Sequence, residues 1–210
     1  MNPSEELKRR LTQCPFVAII RGVTPDEVDD IGGALAGAGI VIIEVPLNSP
    51  DPFASIERLA RTLGDRVLVG AGTVMKAEDV GRVRDAGGRI IVSPDTNPEV
   101  IGAAAAANLV STPGYFTPSE AFTALRTGAH GLKFFPAEAA TPAVIKAQRA
   151  VIPRHVPLLV VGGVKPDSLQ PWLEAGADGF GLGSGLFRPG QSARETAAKA
   201  NAYVKALNRG

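Results

Sequence analysis

The chain has 210 residues, is 45% hydrophobic and carries a net charge of +1. That length fits one domain with a full core, and the composition excludes a disordered chain. Interspersed charges leave no basic patch for a nucleic acid, and no apolar run approaches the ~20 residues that span a bilayer.

The chain opens on MNPSEELKRRL, a charged stretch without the apolar segment of a secretory signal. A short N-terminal helix is expected there. Cys14 is the single cysteine, which excludes an internal disulfide framework and points to a reducing compartment. The expected location is the cytoplasm, with neither nucleic acid nor membrane as partner.

Eight short apolar runs rich in β-branched residues follow. They are Val17–Arg21, Val41–Pro46, Val67–Thr73, Arg89–Pro94, Leu109–Pro113, Leu132–Pro136, Leu158–Gly163 and Gly179–Ser184. Continuous apolar runs suit parallel strands covered on both faces, and their spacing is what a strand–helix unit needs. Thr24-Pro25-Asp26-Glu27 and Thr117-Pro118-Ser119-Glu120 each read as a capping box with proline at the first helical position. Ser49-Pro50 and Thr141-Pro142 carry a cap and a proline, while glycines at 39, 87, 128 and 176 mark helix ends. The expectation is a single compact (β/α)8 TIM barrel over residues 1–210, preceded by the short helix. A doubly wound sheet is the runner-up, without a G-x-G-x-x-G after the first strand to support it.

Strand side chains alternate between faces, so parity sorts the polar residues. Lys133 shares a face with Phe135, Glu44 with Ile42, Arg21 with Ile19, and Thr73 with Ala71. This reading places all four near the C-terminal ends of their strands, on the inner side, where barrel enzymes keep their active sites. A lone charge at a strand end is as readily structural; four together are costly to desolvate without a purpose. Lys133, on the sixth expected strand, is predicted to be a neutral nucleophile that forms a Schiff base with a keto acid. Glu44 is placed to move protons, and Arg21 offers a planar fork that matches a carboxylate.

Strand seven ends in Gly162-Gly163, and strand eight in Gly183-Ser184. Bare glycines let N–H groups approach an anion, and a short helix after strand eight would add its positive end. Either segment alone fits a plain tight turn; together, in the loops after strands seven and eight, they suggest a phosphate site. His130 and His155, the only histidines, do not end a strand, which argues against a histidine-based hydrolase. No metal motif or nucleotide loop is present, so cofactor-free, metal-free covalent catalysis is expected.

The segments AIIRG, IEVPLNSP, VGAGTV, IVSPDTN, STPGYFTPSEAFTAL, GLKFFPAEA, VVGGV and GLGSGLF resemble the class I 2-keto-3-deoxy-6-phosphogluconate (KDPG) aldolase family over nearly the whole chain. The resemblance implies that Lys133 is the Schiff-base lysine and Glu44 the proton shuttle. It implies a keto-acid pocket of Arg21, Thr73, Pro94 and Phe135, and a phosphate site of Gly162, Gly163, Gly183 and Ser184. Its substrates would be a phosphorylated keto-deoxy sugar acid and pyruvate, its assembly a homotrimer. Two departures, Pro46-Leu47-Asn48-Ser49 after Glu44-Val45 and Val161 before the Gly-Gly pair, resemble the 2-dehydro-3-deoxy-6-phosphogalactonate branch. Valine cannot bond the substrate's C4 hydroxyl, so one stereochemical preference should weaken. The resemblance implies the galactonate epimer, with the gluconate or both epimers as the alternative. A different phosphate-binding barrel enzyme or a non-catalytic sugar-phosphate binder are the other classes left open.

Overall fold

The computed structural model describes residues 2–207. In chain order the elements are α1 (Pro3–Gln13), β1 (Phe16–Ile19), α2 (Val28–Gly37), β2 (Ile42–Pro46), α3 (Pro52–Leu63), β3 (Leu68–Gly72), α4 (Ala77–Asp85), β4 (Ile90–Val92) and α5 (Pro98–Ala106). They continue as β5 (Val110–Thr112), β6 (Gly114–Tyr115), α6 (Pro118–Thr127), β7 (Leu132–Phe134), α7 (Pro142–Gln148), β8 (Leu158–Val161), α8 (Leu169–Glu174), β9 (Gly179–Leu182) and α9 (Ala193–Leu207). Short 3₁₀ turns occupy Ala137–Ala139 and Pro166–Ser168.

All pairings are parallel, in the order β5-β4-β3-β2-β1-β9-β8-β7-β6. The sheet curls into a nearly closed α/β barrel with helices outside. The fifth expected run, Leu109–Pro113, becomes β5, and the structure adds β6 just beyond it, the two separated at Pro113, which has no N–H to give a ladder. Lys133 therefore lies on the seventh strand rather than the sixth. Across the seam, the N–H groups of His130 and Gly131 donate to the Ser111 carbonyl at 2.9 and 3.2 Å. Lys133 N–H donates to the Pro113 carbonyl at 2.9 Å.

The apolar runs become strands buried on both faces. Every residue of β1, β2, β3, β7, β8 and β9 is buried. α1 lies across the barrel's N-terminal end, with Leu7 and Leu11 buried and the buried Arg10 donating to the Arg66 carbonyl. On β7, Phe134 points outward and stacks on Phe116 with ring centroids 5.1 Å apart, beside Tyr115 and Trp172. That aromatic packing fixes the strand's register, since a one-residue slip would swap its faces.

The helix signals fare unevenly. Thr117 and Glu120 form the expected capping box at α6. At α2 the helix begins only at Val28; Glu27 bonds the Thr24 N–H, but the Thr24 hydroxyl caps nothing, so residues 25–27 form a turn instead. At α3 the first helical residue is Pro52, not Pro50, because the Ser49 hydroxyl accepts from Gly22 N–H at 2.9 Å and ties two loops together. Gly39, Gly87, Gly128 and Gly176 all lie just past helices with positive φ, as expected. Thr117→Ala is expected to lower the unfolding free energy by about 1 kcal/mol, and Thr24→Ala by only a few tenths. Equal losses in urea titrations of the two variants would refute this reading of the caps.

Candidate active site

A cavity of about 360 Å³ opens at the C-terminal ends of the strands. Of the residues the sequence singles out, Arg21, Thr73, Pro94, Lys133, Phe135, Val161, Gly162, Gly163, Gly183 and Ser184 line it. Glu44 is not among its lining residues and is 1% exposed.

The polar residues fall in two layers rather than at one height. Lys133 and Glu44 sit within their strands, and both are buried. Arg21 and Thr73 lie past the ends of β1 and β3, with Arg21 exposed at the rim. Parity holds for Glu44, whose register partners are Ile19 and Gly70. It fails for Thr73. Gly70 and Gly72 take the inward positions of β3, so strict alternation would turn Thr73 outward with Ala71. Thr73 reaches the cavity because its φ is +55°, a left-handed conformation that redirects the side chain. From there its hydroxyl accepts from an Arg21 terminal nitrogen at 3.2 Å, while the other terminal nitrogen donates to Asn48 Oδ1.

Gly72 makes room for Glu44, since a Cβ at that position would overlap the carboxylate. The Glu44 Oε2 atom is buried with no hydrogen-bond partner. Burial pushes the Glu44 carboxyl up to about 7, against the pull of the Lys133 and Arg21 charges. Burial likewise lowers the Lys133 amine; the Arg21 charge adds to that and the Glu44 carboxylate opposes it. Among the described residues no carboxylate lies within 4.0 Å of Lys133 Nζ. Its ammonium end lies 4.8 Å from the Phe135 ring centroid. The two groups share a field without forming an ion pair, which suits proton exchange through a water or substrate atom.

At the other end, Gly162 and Gly163 have φ of +117° and +64°, open to a backbone turn that presents N–H groups. The expected helix after the last strand is not there. Residues 183–187 form a turn in which the Leu186 and Phe187 N–H groups donate to the Gly183 carbonyl, and α9 starts only at Ala193. The glycines fold back on their own backbone, so no helix dipole faces the cavity. Sequence reasoning missed Glu138, Phe187, Arg188 and Pro189, which also line it. They fall in loops, where side-chain direction has no period to read. His130 lies on the N-terminal side of β7, accepting from the Ser111 N–H, and His155 is exposed before β8. Among the described residues no three His, Cys, Asp or Glu side chains group to hold a metal, and no helix is long and apolar enough to cross a membrane.

Residues 7–200 match the family model described as KDPG and KHG aldolase. The chain is 46% identical over 195 residues to the 2-dehydro-3-deoxy-6-phosphogalactonate aldolase of Escherichia coli K12, covering 93% of this chain and 95% of that one. It superposes on the native KDPGal structure with a TM-score of 0.92 at 45% identity, over 93% of this chain and 95% of the other. A KDPG aldolase from Legionella pneumophila, with pyruvate captured as a covalent carbinolamine, is more distant: 26% identical, TM-score 0.82, covering 97% and 98%.

The Glu44 carboxyl titrates near 7 when folded and near 4.5 when unfolded, so folding tightens its hold on a proton. Its contribution to stability is therefore full below about pH 4.5 and lost as pH rises through about 7. Glu44→Gln removes that slope. Relative to the parent, the variant is expected to gain on the order of 1–3 kcal/mol between about pH 5 and about pH 8 in urea unfolding. A pH-independent difference would show that the carboxylate is not buried uncompensated.

Proposed function

The chain belongs to the KDPG and KHG aldolase family, and from that premise we propose that it is a class I aldolase cleaving 2-dehydro-3-deoxy-6-phosphogalactonate to pyruvate and D-glyceraldehyde 3-phosphate. What carries the reading is a buried lysine that lines the cavity, its pKa lowered by burial, in the field of a buried carboxyl pushed up to about 7. In this reading β5 and β6 are one stave interrupted at Pro113, which makes the barrel eightfold.

Lys133 Nζ adds to the substrate's C2 carbonyl, forming a carbinolamine. Glu44, through a water, protonates the departing hydroxyl, and the resulting iminium is an electron sink. The Glu44 carboxylate then takes the C4 hydroxyl proton as the C3–C4 bond breaks. The bonding pair moves into the iminium, leaving an enamine and releasing the aldehyde. Protonation of the enamine carbon and hydrolysis release pyruvate and restore Lys133. A carboxyl poised near neutrality serves both the acid and the base steps without a large energetic penalty. Arg21, held by Asn48 and Thr73, takes the keto-acid carboxylate, with Pro94 and Phe135 flanking the carbon chain. Gly162, Gly163, Gly183 and Ser184 hold the phosphate.

Borohydride reduction in the presence of pyruvate should add a pyruvate-derived mass to Lys133 and abolish turnover. An unmodified Lys133 under conditions that trap an aldolase known to use a Schiff base would refute the covalent mechanism.

Val161 lines the cavity and cannot bond the C4 hydroxyl, and with the KDPG aldolase relatives distant, the gluconate alternative is not favoured. The expected result is a higher kcat/KM on the galactonate substrate than on the gluconate one. A reversed preference would move the substrate assignment and leave the chemistry standing. Family resemblance also supports a homotrimer, working in the cytoplasm without a cofactor.

A further inference from the structure

A phosphate dianion bound by backbone N–H groups alone is short of positive charge, and a helix N-terminus often supplies it. No helix starts at the turn after β9 in this protein. Three basic side chains line the cavity. Arg21 is committed to Asn48 and Thr73 at one end, and Lys133 stands mid-cavity on β7. The third is Arg188, which follows the Gly183–Phe187 turn. Its Nε donates to the Ser184 carbonyl at 3.1 Å, anchoring the guanidinium beside the glycine end. Next to it, Pro189 packs so closely over Gly22 that a Cβ there would stand 2.6 Å from the proline ring. The two terminal nitrogens of Arg188 have no protein partner among the described residues. They present two further donors to the cavity.

A charge of the opposite sign shares this end. Glu138, in the 3₁₀ turn after β7, lines the cavity and lies against Gly162, where a Cβ would overlap its carboxylate. It has no ion-pair partner within 4.0 Å among the described residues. A carboxylate at the glycine pair repels a phosphate and raises the demand for a compensating cation.

We propose that Arg188 is the phosphate's charge partner and sets the preference for phosphorylated over unphosphorylated substrates, with Glu138 opposing it. The proposal rests on the aldolase reading above. Neither residue touches the reacting carbons, so both act on substrate choice rather than on the Schiff-base steps.

The test is condensation of pyruvate with D-glyceraldehyde 3-phosphate and with unphosphorylated D-glyceraldehyde, comparing the ratio of the two kcat/KM values. Arg188→Gln should lower that ratio at least about tenfold, through KM for the phosphorylated aldehyde, as loss of a charge-assisted contact does. Arg188→Lys should recover part of it, since the charge returns without the planar fork. Glu138→Gln should raise the ratio about twofold to fivefold. An unchanged ratio in Arg188→Gln, or equal losses on both aldehydes, would overturn the assignment, as would a lowered ratio in Glu138→Gln. If the parent enzyme condenses neither aldehyde, the aldolase reading fails first and takes this proposal with it.

Discussion

Placing an amine and a carboxyl inside one barrel, without letting them pair, is the constraint on which the rest of this structure depends. Each loses hydration, and each is pushed toward its neutral form: Glu44 up to about 7, Lys133 downward. A tight ion pair would have restored both charges and left an inert salt bridge. Two features prevent that outcome. Lys133 has no carboxylate within 4.0 Å among the described residues. Glu44 sits in the hollow left by Gly72, with one oxygen unpartnered. Desolvation shifts both groups, and separation keeps them from pairing.

Holding those groups in place falls to the apolar packing behind them. Phe134, fully buried between Phe116, Tyr115 and Trp172, pins β7 so that Lys133 faces inward. The barrel's rim is built differently. Arg21 lies outside regular structure and is positioned by hydrogen bonds to Asn48 and Thr73, from the loops after β2 and β3. The interior site is thus oriented by packing and the rim by polar contacts. Glu44 is sealed from solvent and Lys133 is buried at the cavity wall, whereas Arg21 is exposed.

Much of this was legible in the residues. Each of the eight apolar runs overlaps a strand, though one further strand, β6, lies outside them, and their continuity suits the parallel, doubly covered strands observed. Lys133 and Glu44 could be found by alternation because both lie within strands, where the period of two holds. Thr73 was named for a reason the structure does not bear out: strand parity sends it outward, and its positive φ brings it back. The break between β5 and β6 falls at Pro113, a residue visible in the sequence whose effect depends on which neighbours need its missing N–H. Ser49 looked like a helix cap and instead anchors Gly22, because its hydroxyl found a partner 27 residues away.

The sequence by itself determined the alternation of strands and helices, the inward lysine and glutamate, and the family. These follow from local periodicity and from motif residues that need no knowledge of what lies opposite. Only the tertiary structure decided that Glu44 is buried against Gly72 and is not part of the cavity lining. It also decided that Arg21 and Thr73 belong to an outer layer, and that Glu138 and Arg188 bring opposite charges to the glycine end. Those are relations between loops far apart in the chain, set by backbone turns with no repeating period. No spacing rule can express them until the barrel has brought the strand ends together.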